Sequence, residues 1–363
     1  MTVIDGPIFS ADSHITEPPD TYTDHIAAEF RDRAPYMQHD DKAGDLFVIP
    51  GMSKPVPMGL VAAAGKPAEE ITVLGVDFAD LHRGGWDPDA RLPEQDRDGV
   101  AGEIIYPTVG MVLCNHTDLD YKRTYMQAYN RWIAEYCAVD PARLIGVGQT
   151  AMRTPEEGIE DLREIKRLGL RGVMLPGVPG VNDYHDEVYD PFWDAAVEIG
   201  LPLSFHILTT PFARARGPFM NHAVAIIRAN QDIMGMLIFG GVFERHPKLR
   251  IVCVEADAGW VPHWMYRMDH YYKRHQYMRS AQLSRLPSEQ FREHIYLTFQ
   301  DDWAAFQTTH LQNPERLMWG NDFPHSDSTW PWSQDVLREQ ASHLPQATRD
   351  AILHDNVARL YGL

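Results

Sequence analysis

Five side chains suited to gripping a divalent cation fall where short apolar runs end: Asp12 and His14 in PIFSADSH, His206 in LPLSFHI, Glu255 in RIVCVEA and Asp322 in LMWGNDF. Imidazole and carboxylate together suit zinc, iron or manganese. The D-x-H spacing matters because alternate residues of a strand point the same way, so Asp12 and His14 can face one target. Taken singly, each residue has an ordinary structural reading. A histidine inside SFHIL could be a satisfied core residue, Asp12 a turn residue, and Glu255 and Asp322 loop anchors accepting backbone N–H groups. Taken together, ligand-type residues at the ends of four separate strands would be unusual if their roles were unrelated.

Eight such runs can be read along the chain, at 7–14, 102–108, 144–150, 172–177, 201–207, 250–256, 295–299 and 317–323. Between them lie amphipathic stretches such as TPEEGIEDLREIKRLG and DPFWDAAVEIG, the first opening with the Thr-Pro start of a capped helix. Alternation of this kind predicts βα units around a parallel sheet. Eight of them match the size of a closed (β/α)8 TIM barrel, an α/β fold whose strand ends all open onto one face. That geometry would bring residues distant in sequence to a common mouth. The doubly wound open sheet is the rival, but no glycine-rich phosphate loop follows any of the runs. The chain is read as one barrel domain over 1–363, with a hairpin-bearing excursion at 28–88, containing LFVIPGMSKPVPMG, expected to lie over the mouth.

Composition narrows the partners. The formal net charge of −18 opposes a phosphate backbone, so nucleic acid is not expected. No apolar run is long enough for a membrane span, the start lacks the marks of a signal peptide, and there are only three cysteines, which together predict a cytoplasmic protein with no membrane partner. A small-molecule substrate is expected. So is a homodimer or higher assembly, as is common for symmetric enzymes, with WMYRMDHYYKRHQYMRS as an aromatic helix that either forms the contact or roofs the site.

Four segments, SADSHITEPPD, SFHI, VEADAGWVPHWMYRMD and WGNDFPHSDSTWP, with the terminal ILHDNVARLYGL, together resemble the amidohydrolase-related family that includes aminocarboxymuconate semialdehyde decarboxylase and γ-resorcylate decarboxylase. The resemblance covers nearly the whole chain and implies a distorted (β/α)8 barrel. It implies that Asp12, His14 and His206 hold metal and that Asp322 binds metal or moves protons. Two departures stand out: Asp12 occupies a position that is histidine in many relatives, and Glu255 stands where the sixth strand often carries a histidine. His263, in GWVPHW, is then the nearest imidazole that could take that acid/base role.

With His263 and His325 the candidate ligands number six or seven, enough for one divalent metal or for two bridged by Glu255 or Asp322. Asp322, Glu255 and His263 are the candidate catalytic groups; His325 and Asp327 could instead orient the ligands. Arg214 and Arg216 lie where a guanidinium could clamp a substrate carboxylate, or where a solvated loop pair would sit equally well. Trp303, Trp330 and Tyr106 could line a pocket or simply pack, and Glu17 is read as a buttress of the EPP turn. The leading expectation is a metal-dependent hydrolase or non-oxidative decarboxylase of a small carboxylated or aromatic molecule. Two further readings are a dinuclear-iron monooxygenase on the same barrel and a non-catalytic subunit of a hetero-oligomer with a related barrel.

Overall fold

The computed structural model describes residues 6–211, 215–279 and 282–363. Strand β1 (Phe9–Ile15) is followed by three short strands, β2 (Tyr36–Asp40), β3 (Gly44–Val48) and β4 (Val56–Pro57), which pair antiparallel in a sheet of their own. Then come β5 (Gly102–Pro107), β6 (Leu144–Gln149), β7 (Gly172–Met174), β8 (Leu203–His206), β9 (Ile251–Val254), β10 (Ile295–Phe299) and β11 (Leu317–Trp319). With β1 these form an eight-stranded parallel sheet whose order in space is the order in sequence. The fold is the (β/α)8 barrel expected from the alternation. The strands β5 to β11 are buried at every residue, as parallel strands covered on both faces must be.

The helices begin and end for local reasons. Thr154 caps Pro155–Arg167 by accepting the N–H of Glu157 at 3.3 Å, with proline in the first turn. Asp190–Ile199 stops at Gly200, whose φ of 72° suits glycine.

Residues just past β11 close the barrel. The Asp322 N–H donates to the Asp12 carbonyl at 2.9 Å, and the His14 N–H donates to the Phe323 carbonyl at 2.7 Å. Gly320 permits this approach, since a Cβ there would stand 2.7 Å from the Asp12 Cβ. Arg91, fully buried, ties the seam from outside: its Nη1 donates to the His14 carbonyl at 2.6 Å, its Nη2 to the Phe323 carbonyl at 3.2 Å, and its Nε to Glu103 at 2.5 Å. A buried guanidinium needs such a full set of acceptors to offset its lost hydration.

The segment around β2–β4 sits over the loops that leave β1, β5 and β11. Thr16 Oγ1 donates to the Val61 carbonyl, Ser326 N–H to that of Leu60, and the Ala64 N–H to that of Pro324, at 3.1, 2.9 and 3.0 Å. His116, beyond β5, bonds the Pro50 carbonyl at 2.9 Å. The excursion therefore covers the carboxyl ends of those strands. Among the described residues no helix is long and apolar enough to cross a membrane.

Candidate metal centre

The carboxyl ends of β1, β8, β9 and β11 bring Asp12, His14, His206, Glu255 and Asp322 together. On β1 the ladder to β5 is irregular between Ser10 and Ser13, yet Asp12 and His14 still face one point, with Asp12 Oδ1 3.7 Å from His14 Nε2. His206 Nε2 approaches Asp12 Oδ1 at 3.5 Å and Glu255 Oε2 at 3.1 Å, and that same Glu255 oxygen lies 3.3 Å from His14 Nε2. Asp322 Oδ1 is 3.5 Å from His14 Nε2. Glu255 and Asp322 have φ values of 54° and 52°, left-handed conformations uncommon for such residues. This turn of the backbone sends each carboxylate back over the mouth instead of along its strand, a form of strain that collects at functional sites.

Supporting bonds orient the ligand atoms. The Nδ1 of His14 bonds the Pro107 carbonyl and that of His206 the Ile207 carbonyl, both at 3.1 Å. Each Nδ1 must therefore carry the proton, which leaves the Nε2 lone pairs facing the cluster. Thr298 Oγ1 donates to Asp12 Oδ2 at 3.1 Å and accepts the Glu255 N–H at 2.8 Å, tying β1 and β9 through β10. The inward atoms Asp12 Oδ1, His14 Nε2, His206 Nε2 and Glu255 Oε2 have no hydrogen-bond partner although they are buried. Four converging orphaned ligand atoms in a dry site are what a divalent cation requires and what a protein interior otherwise avoids, so this residue set fits a metal.

Electrostatics agree. Burial, with the nearby His325 and His206, holds the His14 imidazole well below its usual value, hence neutral and able to ligate. Burial first, then the Asp322 and Asp12 carboxylates, push the Glu255 carboxyl well above the ordinary range. Asp322 is raised by burial, opposed by His325. These carboxylates crowd one another without a counter-charge, which a cation would supply.

A second group shares two members with the first: His14, Glu255, Asp322 and His325 also present ligand atoms within 4.8 Å of one another. His325 stacks on His14 with ring centroids 4.0 Å apart, its Nδ1 3.0 Å from Asp322 Oδ1 and its Nε2 2.9 Å from Thr108 Oγ1. The Nδ1 contact is close but off the line of a well-directed hydrogen bond, and Asp322 Oδ1 has no aligned donor.

Other expected residues lie elsewhere. His263 is exposed on the helix Val261–Arg279 and joins neither ligand group, so it does not replace a sixth-strand imidazole. The reason is local: Asp302 Oδ2 accepts the Ala258 and Gly259 N–H groups at 2.8 and 2.6 Å, turning the chain so that position 263 enters the helix on its outer side. Asp327 is exposed and accepts from Gln300 Nε2 at 2.9 Å instead of touching Asp322. Arg214 lies outside the described residues, and Arg216 is exposed. Trp303 is 62% exposed at the start of the short helix Trp303–Gln307, in the loop after β10. Trp330 packs on Phe323 and His82, and Tyr106 is buried beside His14 and His206 with its hydroxyl 3.1 Å from that of Tyr361. Glu17 does more than brace its turn: fully buried, it accepts the N–H groups of Thr108, Val109 and Gly110 at 2.9 to 3.2 Å. Thr108, Thr298 and Arg91 were not among the expected site residues. Only the polar threonine in the otherwise apolar IYLTF run gave a hint of one of them.

Known proteins share this plan. A curated relative, 2-amino-3-carboxymuconate-6-semialdehyde decarboxylase of Dictyostelium discoideum, is 24% identical over 301 residues, 81% of this chain and 82% of the relative. A crystal structure of an amidohydrolase from Mycobacterium avium subsp. paratuberculosis superposes with a TM-score of 0.77 at 21% identity, covering 99% of this chain and 100% of that one. The 5-carboxyvanillate decarboxylase of Novosphingobium aromaticivorans, solved with manganese and 4-hydroxy-3-methoxy-5-nitrobenzoic acid, gives 0.72 at 20% identity, covering all of both chains. These two likenesses agree on the barrel. The family model for amidohydrolases matches residues 11–363, and the chain accordingly belongs to the amidohydrolase family, as an enzyme of its metal-dependent hydrolase and lyase class.

Proposed function

We propose that this enzyme is a metal-dependent, non-oxidative decarboxylase of small aromatic or similarly conjugated acids. The observation that carries the reading is the division of the site into two parts: a ligand set of Asp12, His14, His206 and Glu255 with orphaned inward atoms, and beside it an Asp322–His325 pair in mutual contact. The decarboxylase names of the relatives support the choice of reaction. One divalent cation, manganese or zinc, would be held by the ligand set and would anchor the substrate's carboxylate and a neighbouring oxygen, polarising the ring.

The chain's own residues do the rest. Asp322, in its protonated form, gives a proton to the ring carbon that bears the carboxylate; the bond from that carbon to the carboxylate then breaks, its electron pair returns to the ring and carbon dioxide leaves. The same carbon keeps the proton, and Asp322 is reprotonated for the next turnover. A carboxyl kept dry and crowded by other carboxylates holds a proton at higher pH than usual, which suits it to this task. Near-complete burial of Asp12, His14, His206 and Asp322 keeps water from the reacting atoms, and the 16% exposure of the Glu255 side chain marks the open side.

A single cation is proposed because the second ligand group borrows His14 and Glu255 from the first, and one imidazole lone pair serves one ion. The test is chelation, reloading with manganese or zinc, and assay with 5-carboxyvanillate and γ-resorcylate as probes. The expected result is about one metal per chain and carbon dioxide released only by the loaded protein, without oxygen uptake. Cleavage of amide or ester probes with no carbon dioxide release would move the enzyme to hydrolysis, and oxygen consumption with two irons bound would move it to oxygenation. Either result overturns the reading.

A further inference from the structure

Thr298, on β10 between β9 and β11, meets two of the proposed ligands with a single hydroxyl. Its Oγ1 accepts the Glu255 N–H at 2.8 Å and donates to Asp12 Oδ2 at 3.1 Å. The direction of both bonds is fixed by chemistry. A backbone N–H can only donate, and a carboxylate that ligates a cation is deprotonated and can only accept. Thr298 is fully buried, so bulk water does not compete for either bond. The carboxylate of Asp12 is thereby divided: Oδ2 is held toward β10, while Oδ1, with no hydrogen-bond partner, lies 3.5 and 3.7 Å from the Nε2 atoms of His206 and His14.

The number of oxygens that Asp12 gives decides how many positions on the cation stay open. Asp12, His14, His206 and Glu255 offer one ligand atom each, four in all. A cation that takes about six ligands, as manganese does, then keeps about two positions for the substrate's carboxylate and its neighbouring oxygen. A second oxygen from Asp12 would close one of them. We infer that Thr298 is a positioning residue that holds Asp12 to one-oxygen ligation and so keeps a coordination position free for substrate. Without the hydroxyl, Oδ2 would be a buried acceptor with no donor, and turning to the cation would satisfy it.

The inference rests on the ligand set of the proposed function and on the substrate's two-oxygen grip, but its test needs no substrate. In chelated protein reloaded with saturating manganese, water molecules on the metal are counted by electron–nuclear double resonance in oxygen-17 water. About two are expected in the wild type and about one in Thr298→Val, which keeps the β-branched shape suited to a strand. Thr298→Ser should restore the wild-type count. Loss of the acceptor for the Glu255 N–H should also weaken manganese binding in Thr298→Val by about 10- to 100-fold, but that effect alone leaves the count unchanged, so the count carries the test. Asp12→Asn gives a second reading that does not depend on the fold of Thr298→Val: an amide offers a single ligating oxygen, so its count should equal that of the wild type. A wild-type count retained in Thr298→Val, or an additional water in Asp12→Asn, overturns the inference. A wild-type protein that binds no manganese overturns it together with the ligand set. The expected counts without carbon dioxide release from any probe would uphold it and count against the decarboxylase reading alone.

Discussion

Glu255 and Asp322 are both carboxylates in left-handed backbone, past the ends of β9 and β11 on either side of β10, yet their surroundings give them different work. Glu255 directs one unpartnered oxygen to within 3.3 Å of both ligand imidazoles, whereas Asp322 stands 3.5 Å from His14 and 3.0 Å from His325. Each left-handed conformation costs about 1–3 kcal/mol, which the rest of the barrel must offset. Glu255→Gln keeps the shape and removes the charge, so it should weaken metal binding by about 10- to 100-fold as judged by metal content after dialysis. Asp322→Asn should retain the metal while kcat for carbon dioxide release falls by about 10²- to 10⁴-fold, the usual scale for a lost general acid. A variant of Asp322 that emptied the site as thoroughly as Glu255→Gln would make Asp322 a ligand and leave the reaction without its proton donor. The D-x-H pair, His206 and both carboxylates were readable from their places at strand ends. Thr108 and Thr298 were not, because a threonine's role depends on which hydroxyl it meets across 217 or 286 residues of chain.

Elements are where the sequence was most informative and where it misled over His263. Seven of the eight barrel strands fall within the expected runs, since a parallel strand buried on both faces reads as a largely apolar segment, and the first, β1, overruns its run by one residue, Ile15. The last run, 317–323, is only half strand: pairing with β10 stops at Trp319, and three residues on Asp322 takes the left-handed φ of 52°. His263 went astray at a comparable place, where Asp302 bends the chain between β9 and the next helix by bonds that no local pattern encodes. The loop after β5 shows how one residue can set such an element. Glu17→Ala would leave the N–H groups of Thr108, Val109 and Gly110 without acceptors in a buried turn. It should destabilise the protein by about 3 kcal/mol, read as a lowered urea midpoint with little change in slope. A midpoint within error of wild type would mean that water enters and serves these groups, and that the loop does not depend on Glu17.

At the scale of the whole molecule, closing the barrel and building the site are the same event, because the bonds Asp322 N–H to Asp12 and His14 N–H to Phe323 join the first and last strands through the ligand-bearing residues. Folding therefore gathers Asp12, Glu255 and Asp322 into one dry space, and the cost appears as raised carboxyl pKa values for Glu255 and Asp322. The sign of the consequence is fixed. A carboxyl that holds its proton more tightly in the folded state than in the unfolded one favours folding most at low pH, and its contribution is lost as pH rises from the unfolded carboxylate range through the raised folded value. The metal-free protein should thus lose stability as pH rises above about 5, while a bound cation repays the carboxylates' repulsion and binds more tightly once the ligands are deprotonated. Melting curves of chelated and manganese-loaded protein should diverge with pH, the loaded form gaining about 3 kcal/mol at 100 times its dissociation constant. That gap should shrink toward pH 5, where the Glu255 carboxyl, held above its ordinary range by burial, keeps its proton in competition with the cation. A gap that stayed constant from about pH 5 to 8 would show that the cation is not bound by the buried carboxylates and neutral imidazoles that close the barrel.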